Sequence, residues 1–477
     1  MLLPKRLLRY LTIGVGAVSL GTYGASPAIM SVSTVQNSET RALTVSYTLA
    51  NAPAIVTIDI VTNGSASVGG AALRGLTGDV NKVIADDGSY SAEWPADVAC
   101  PEGTVARAVV TAWPLDNPPD YMAVDLTRAV SGVVRYYASL EELPTMNGPT
   151  DNVYRTTQML CRRIRAKGVA WDMGPNGSDK HAVTLDHDYY MGIFEVTQKQ
   201  WYLVNAVKSW PSGFTFYGDV IGRPVEKVAY ADIRGTSYWP DAPTSGTFLY
   251  KLREKTDVAF DLPGEAEWEY AARAGHANGF WGDGSQVLTT ASSGTDANLL
   301  KLARYQSNGK PKNASGAYYD PPLTVDASLG SAIVGSYKPN GYGLYDMAGN
   351  MWESCLDGYD NIVRPVKNLD GDIYTGSTTS LVVRGGCYLN GPNLQVFTAR
   401  SYTSPTSTSN ARGFRVVVRL AAVESPVSVS SDPFALDASG FGTFVAAGLD
   451  ARGQSHATTA AIFLNSYPCI GTYVILR

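Results

Sequence analysis

VGSYKPNGYGLYDMAGNMWES, residues 334–354, is the stretch on which the fold turns. Glycine, asparagine and proline punctuate an apolar background here, with no regular helical or strand repeat. Similar punctuation (WGDGS, SNGKPKNASG, LDGYDN, DGDIYTGS) breaks up the chain from about residue 280 onward. A compact domain with that much irregular backbone needs something to hold its loops, since ordering each residue costs about 1–2 kcal/mol. Bound metal ions are one common answer.

Upstream, the sequence becomes regular in two places. In EVTQKQWYLVNAV, Thr197 is placed to cap a helix and Gln200 to reach back from the third helical position. Val196 and Trp201 then fall where a hydrophobic staple closes the first turn. In LPGEAEWEYAARAG, Pro263 suits a helix start, Trp268, Ala271 and Ala272 share a face, and Gly275 can end it. Glu265, Glu267 and Glu269 lie in or near its first turns. They are expected to be solvated or dipole-compensating rather than an acid–base set.

A chain of 477 residues is long for one core, so two or three domains are expected. Charged residues make up only 17% while there are 47 Gly, 26 Pro and 28 Tyr, which favours β-structure with much loop over helical bundles. The net charge of −5 offers no basic field for nucleic acid or anionic lipid. Residues 1–28 have the layout of a secretory signal peptide: Lys5, Arg6 and Arg9 precede an apolar run from Tyr10 to Leu20, and Ser26 and Ala28 flank a small-residue cut. A retained anchor is the alternative, but the run is short for a span, and no later segment reaches spanning length. The protein is therefore expected to be exported, with no stable membrane span.

Residues 29–113 alternate, with Val56, Ile58 and Ile60 on one side of AIVTIDIV and Thr57 and Asp59 on the other. Short strands at this spacing suggest an Ig/fibronectin-like β-sandwich with a spacing or adhesive role. The proline-rich PLDNPPD opens a linker over 114–140, a larger domain follows over 141–420, and 421–477 is expected to be a small β-element or tail. Five cysteines (Cys100, Cys161, Cys355, Cys387 and Cys469) show no CxxC-type spacing, and four scattered histidines show no HExxH pattern. Cys387, just behind Gly385 and Gly386, is open to three readings: a small buried residue, a disulfide partner or a reactive thiol. The glycines themselves suit a tight backbone approach.

In chain order, YYMGIFEVTQKQWY, RPVEKVAYAD, LPGEAEWEYAARAG, FWGDGS, VGSYKPNGYGLYDMAGNMWES, VVRGGC and ARGFRVV form a series over roughly 165–420. Together they resemble the formylglycine-generating enzyme, or sulfatase-modifying factor, family. The resemblance implies an α+β, loop-rich, C-type-lectin-like formylglycine-generating-enzyme fold preceded by the sandwich. Catalytic members use two cysteines five residues apart to bind copper(I) and oxidise a substrate cysteine to formylglycine. The resemblance puts those positions at Asn390 and Gln395, whose amides are poor ligands for a soft ion. Copper and catalytic residues are therefore not expected. The family also places the strand of Cys355 near that of Cys387, which makes a disulfide between them one alternative.

The same resemblance implies calcium in the YDMAGNMWE loop, with side-chain oxygens from Asp346 and Glu353 and backbone carbonyls from Gly349 and Met351. A second family site would start near Asn298 and continue past 310. The related iron-dependent sulfoxide synthases carry an N-terminal histidine-ligand domain, which a β-sandwich replaces here. The expected function is an exported, non-oxidising, calcium-braced binding module that presents 388–412 to an exported protein, peptide or glycan. The alternatives are an oxidoreductase modifying a cysteine in sulfatases or other exported proteins, and a diversified ligand-binding protein on the same fold.

Overall fold

The structure is a computed structural model. It describes residues 25–37, 39–40, 42–62, 66–95, 106–128, 133–175, 180–206, 211–212, 222–276, 292–309, 330–360, 373–420, 441–449 and 455–463. The expected signal segment falls outside these residues up to position 24. Among the described residues, no helix is long and apolar enough to cross a membrane.

The N-terminal part holds strands β1 (Ala28–Gln36), β2 (Leu43–Ala50), β3 (Ala54–Thr62), β4 (Ala66–Ser67), β5 (Thr77–Gly78), β6 (Lys82–Ile84), β7 (Gly88–Trp94) and β8 (Ala106–Trp113). One sheet runs β1-β2-β7-β5, while β3 pairs with β4, β6 and β8 in the other. Alternation decides which side chains go inward: Val45, Tyr47 and Leu49 from the first sheet meet Val56, Ile58 and Ile60 from the second in one apolar core, with Trp94.

The stretch expected to be a linker contains β9 (Tyr121–Asp125) and β10 (Val134–Tyr137). Both belong to the five-stranded antiparallel sheet of the larger domain, so the 114–140 linker expectation is corrected. Its prolines mark a fixed crossing, where Arg163 donates to the Pro118 carbonyl at 2.6 Å and Tyr190 to that of Pro119 at 2.5 Å. Proline removes donors but leaves its carbonyl to be bonded.

After the short helix α1 (Asn152–Thr156), the sheet is completed by β11 (Gln158–Ile164) and, past the hairpin β12 (Ala170–Met173) and β13 (His181–Thr184), by β14 (Tyr189–Gly192). Helices α2 (Gln198–Asn205), α3 (Tyr230–Ile233), α4 (Phe248–Thr256), α5 (Glu265–Arg273), α6 (Leu299–Leu302) and α7 (Gln306–Gly309) follow. A second sheet runs β17-β16-β15-β18, from β15 (Trp352–Gly358), β16 (Leu381–Arg384), β17 (Arg400–Thr403) and β18 (Arg412–Gly413). Strand β19 (Val417–Arg419) returns to the first sheet, whose order is β10-β9-β11-β14-β19.

That sheet is buried on both faces. Tyr121, Ala123, Leu160, Tyr189, Met191 and Val417 face a core shared with α5, while Met122, Val124, Met159, Tyr190 and Val418 face one shared with α2 and α4. Helix α2 starts as its sequence dictates. Gln200 N–H donates to the Thr197 hydroxyl at 3.3 Å, and Thr197 N–H donates to the Gln200 side chain at 3.0 Å. Val196 and Trp201 bury in the same cluster. Residues 441–463 form a separate unit, an antiparallel hairpin of β20 (Phe441–Leu449) and β21 (Ser455–Phe463).

The N-terminal two-sheet part is docked on the larger domain. Tyr136 N–H in β10 donates to the Asn81 carbonyl at 2.9 Å, and Gly70 N–H donates to that of Glu141. A Cβ on Gly70 would lie 2.2 Å from the Glu142 backbone, so only glycine lets the two parts close. Gly70→Ala is expected to cost about 1–3 kcal/mol by overpacking and to lower the melting temperature. Unchanged melting and unchanged proteolysis at the junction would mean that this contact does not hold the parts together.

Candidate functional site

Both sequence segments that carry the expected chemistry lie on one ladder. In the antiparallel pairing of β15 with β16, Glu353 stands opposite Arg384 and Ser354 opposite Val383. Cys355 lies within β15, whereas Cys387 lies in the loop beyond the end of β16, past Gly385 and Gly386. The two side chains also point into different clusters, Cys355 into the main core and Cys387 against Met351, Tyr388 and Ala411. Both are free thiols, so the disulfide alternative is corrected.

Cys387 is 2% exposed, and burial pushes its thiol up to about 12, so it is held as a thiol. Its S–H donates to Asn390 Oδ1 at 3.0 Å, and its N–H donates to the same oxygen at 3.2 Å. Gln395, wholly buried, donates its amide to the carbonyls of Cys387, Asn390 and Gly391 at 3.2–3.3 Å. The structure thus brings positions 390 and 395 together, as the resemblance implied, and fills them with amides that close the loop on itself. Gly386, at φ +73°, lets the loop approach: a Cβ there would sit 2.2 Å from the Leu394 carbonyl oxygen.

Asp346 and Glu353 are both buried, at 1% and 0% exposure. The Asp346 Oδ2 accepts from Gly335 N–H at 2.7 Å, while its Oδ1 is buried without a partner. Both Glu353 oxygens are taken, by Arg415 at 2.5 and 2.6 Å and by the Trp268 indole at 2.7 Å. A third carboxylate, Glu195, accepts from Asn350 Nδ2 at 2.5 Å and from Met351 N–H at 3.0 Å. Burial, then the neighbouring Asp346 and Glu353, push Glu195 well above the usual carboxylate range. Burial likewise pushes Asp346 up to about 6, with Glu353 adding to it against the Gly335 amide and Arg415.

Of the three carboxylates Arg415 pairs only with Glu353, and Arg155 also acts on Asp346, so the open Asp346 oxygen is the feature that fits a cation there. Glu353 does not fit as an open ligand, because Arg415 and Trp268 saturate it. Gly349 N–H pairs with the Gly385 carbonyl at 2.8 Å, which joins this loop to the Cys387 loop. Asn298 stands at the N-cap position of α6 without a side-chain capping bond, and the residues past 310 that a second cation site needs lie outside the described residues up to 329. Among the described residues, no group of three or more His, Cys, Asp or Glu side chains is arranged to hold a metal.

The three glutamates of α5 depart from the solvated reading, although Glu265 and Glu267 do lie in its first turn. Glu265, Glu267 and Glu269 are 1–2% exposed, not solvated. Glu265 pairs with Arg400 at 2.5 Å and Arg384 at 3.1 Å, Glu267 with Arg419 at 2.5 Å and His187 at 2.8 Å, and Glu269 with Arg273 at 2.6 Å and with Arg384. Burial alone would raise Glu265 and Glu267. Arg384 and Arg400 beside the first, and Arg419 and His187 beside the second, hold both below the usual carboxylate range. The missed partners, Glu195, Arg384 and Arg415, sat in GIFEVT, VVRGGC and ARGFRVV, but nothing in those segments says which charges meet.

The expected binding loop 388–412 divides. Residues 388–399 pack largely inward, with Tyr388 at 2% and Phe397 at 0% exposure, while 402–410 carries most of the exposed positions. The surface part is thus shorter than expected, because the amide staple draws the first half inside.

Residues 155–420 match the sulfatase-modifying factor enzyme 1-like domain, more than half of the chain. The chain belongs to the formylglycine-generating-enzyme family. It is 32% identical over 202 residues to the formylglycine-generating enzyme of Streptomyces coelicolor, covering 41% of this chain and 54% of that one, so it spans about half the relative's length. It is 31% identical over 209 residues to the chaperone protein LppX of Paenibacillus barcinonensis, covering 39% of this chain and 68% of that one. Among solved structures, PvdO from Pseudomonas aeruginosa aligns with a TM-score of 0.41 at 20% identity, over 55% of this chain and 95% of that one.

In this family member Arg415 pairs with the buried Glu353. Arg415→Met is expected to cost about 3–5 kcal/mol by stranding buried charge, read as a lower urea midpoint. Adding Glu353→Leu should recover much of the loss. A single variant with the wild-type midpoint would show that the pair is not structural.

Proposed function

We propose that this protein is an exported, non-oxidising member of the formylglycine-generating-enzyme family that works as a binding module. The observation that carries this reading is the pair of amides, Asn390 and Gln395, at the positions where catalytic members hold copper(I) with thiolates. Amide oxygens are hard donors, and the nearby Cys387 thiol is buried and protonated. A relative named as a chaperone protein also supports a binding role. The ligand is an exported protein, peptide or glycan, met by the exposed Ser, Thr, Asn and Tyr residues of 402–410. The two-sheet N-terminal part is an Ig/fibronectin-like unit that sets where this surface stands.

Calcium braces the loop 346–353 in this reading, with Asp346 giving the side-chain oxygen and Gly349 and Met351 giving carbonyls. A bound divalent ion would supply structural charge balance there, not redox chemistry. EDTA is expected to lower the melting temperature by several degrees, since a ligand at about 100 times its Kd adds roughly 2.7 kcal/mol. Asp346→Ala should abolish that sensitivity. An Asp346→Ala protein still destabilised by EDTA to the wild-type extent would remove Asp346 from the site.

The catalytic question has its own test. Purified protein incubated with copper(I) and a cysteine-containing sulfatase peptide is expected to yield no aldehyde. Mass-detected formylglycine, lost in Cys387→Ser, would restore the oxidase reading.

A further inference from the structure

Where the sandwich docks on the larger domain, the two enclose a cavity of about 590 Å³. That size lies within the roughly 300–1,000 Å³ typical of ligand sites, which favour domain interfaces. Ile58, Leu73 and Leu76 line it from the sandwich, and Val153 and Tyr154 from the larger domain, so much of the wall is apolar.

Three guanidinium groups also line it: Arg128, which pairs with Asp125, and Arg74 and Arg135, one from each side. Arg74 donates to the Ala71 carbonyl at 3.0 Å and reaches the Met146 sulfur at 4.0 Å. Arg135 donates to the Val134 carbonyl at 3.3 Å. Neither has a carboxylate partner among the described residues. The lining carboxylates are already engaged: Asp125 with Arg128 and Thr127, Asp151 with Val153 N–H, and Glu142 with Ala138 N–H. An unpaired guanidinium at an apolar wall is a ready partner for an anion, because its fork matches a carboxylate or sulfonate. The contact at Gly70 fixes the two walls before any ligand arrives.

We propose that this interdomain cavity binds a small amphipathic organic anion, its charged group held between Arg74 and Arg135 and its apolar body against Leu73 and Tyr154. The site is separate from the Cys387 loop and does not depend on the function proposed above.

The test is a fluorescence titration of the full chain with 1-anilinonaphthalene-8-sulfonate, beside the uncharged N-phenyl-1-naphthylamine. Saturable binding of one anion per chain is expected, weakened about tenfold by Arg74→Gln or Arg135→Gln and further by both. The uncharged probe should bind all variants alike. If a glutamine variant fails to fold, Arg135→Lys takes its place and should bind at intermediate strength, because it keeps charge but loses the fork. Non-saturable binding, equal anion affinity in the substituted proteins, or an equal loss for the uncharged probe would each overturn the proposal.

Discussion

Guanidinium groups buried to zero exposure hold this fold together. Arg234, Arg304, Arg384 and Arg415 each sit where irregular segments meet. Arg384 joins α5 to the carbonyls of Phe397 and Ala399 at 3.0 and 2.8 Å. Arg415 joins Glu353 to the carbonyls of Gly192 and Tyr345 at 3.1 and 2.9 Å. A buried charge costs several kcal/mol unless its partners are complete, and a guanidinium has five donors in one plane with which to complete them. One such side chain can therefore fix three loops at once. Arginines supply loop bracing for which bound metal ions were one expected answer.

The same logic shapes the candidate site. Around Cys387 the backbone turns so tightly that its carbonyls need donors, and the Gln395 amide supplies them where family enzymes place a thiolate. A thiolate could not donate to three carbonyls, whereas the Gln395 amide closes the loop. Near Asp346 one carboxylate oxygen is buried without a partner, beside the Glu353–Arg415 pair. Both features hang on the ladder between β15 and β16, joined by the hydrogen bond from Gly349 to Gly385.

The N-terminal two-sheet part is tied into this arrangement rather than strung beside it. Strands β9 and β10 extend the central sheet toward it, and the proline carbonyls of the crossing are bonded instead of loose. Proline-rich composition signals a restricted backbone, and restriction serves a fixed crossing as well as a linker.

Much of the architecture was legible in the residues. The alternation of β3, the capping box at Thr197, the terminator after α5 and the motif series over 165–420 act through local chemistry or ordered pattern, and a sequence displays both. The positions of Asn390 and Gln395 were legible too, because spacing along one loop survives folding. Long-range pairing was not: Glu265 meeting Arg400, or Arg415 lying among Glu195, Asp346 and Glu353, depends on which strands become neighbours. The sequence by itself determined the residue types at each motif position and the helices they start. Only tertiary structure decided which charges are buried together, that Cys355 and Cys387 face different cores, and that Tyr121–Asp125 and Val134–Tyr137 are strands of the central sheet, because burial and pairing arise from contacts between residues tens to hundreds of positions apart.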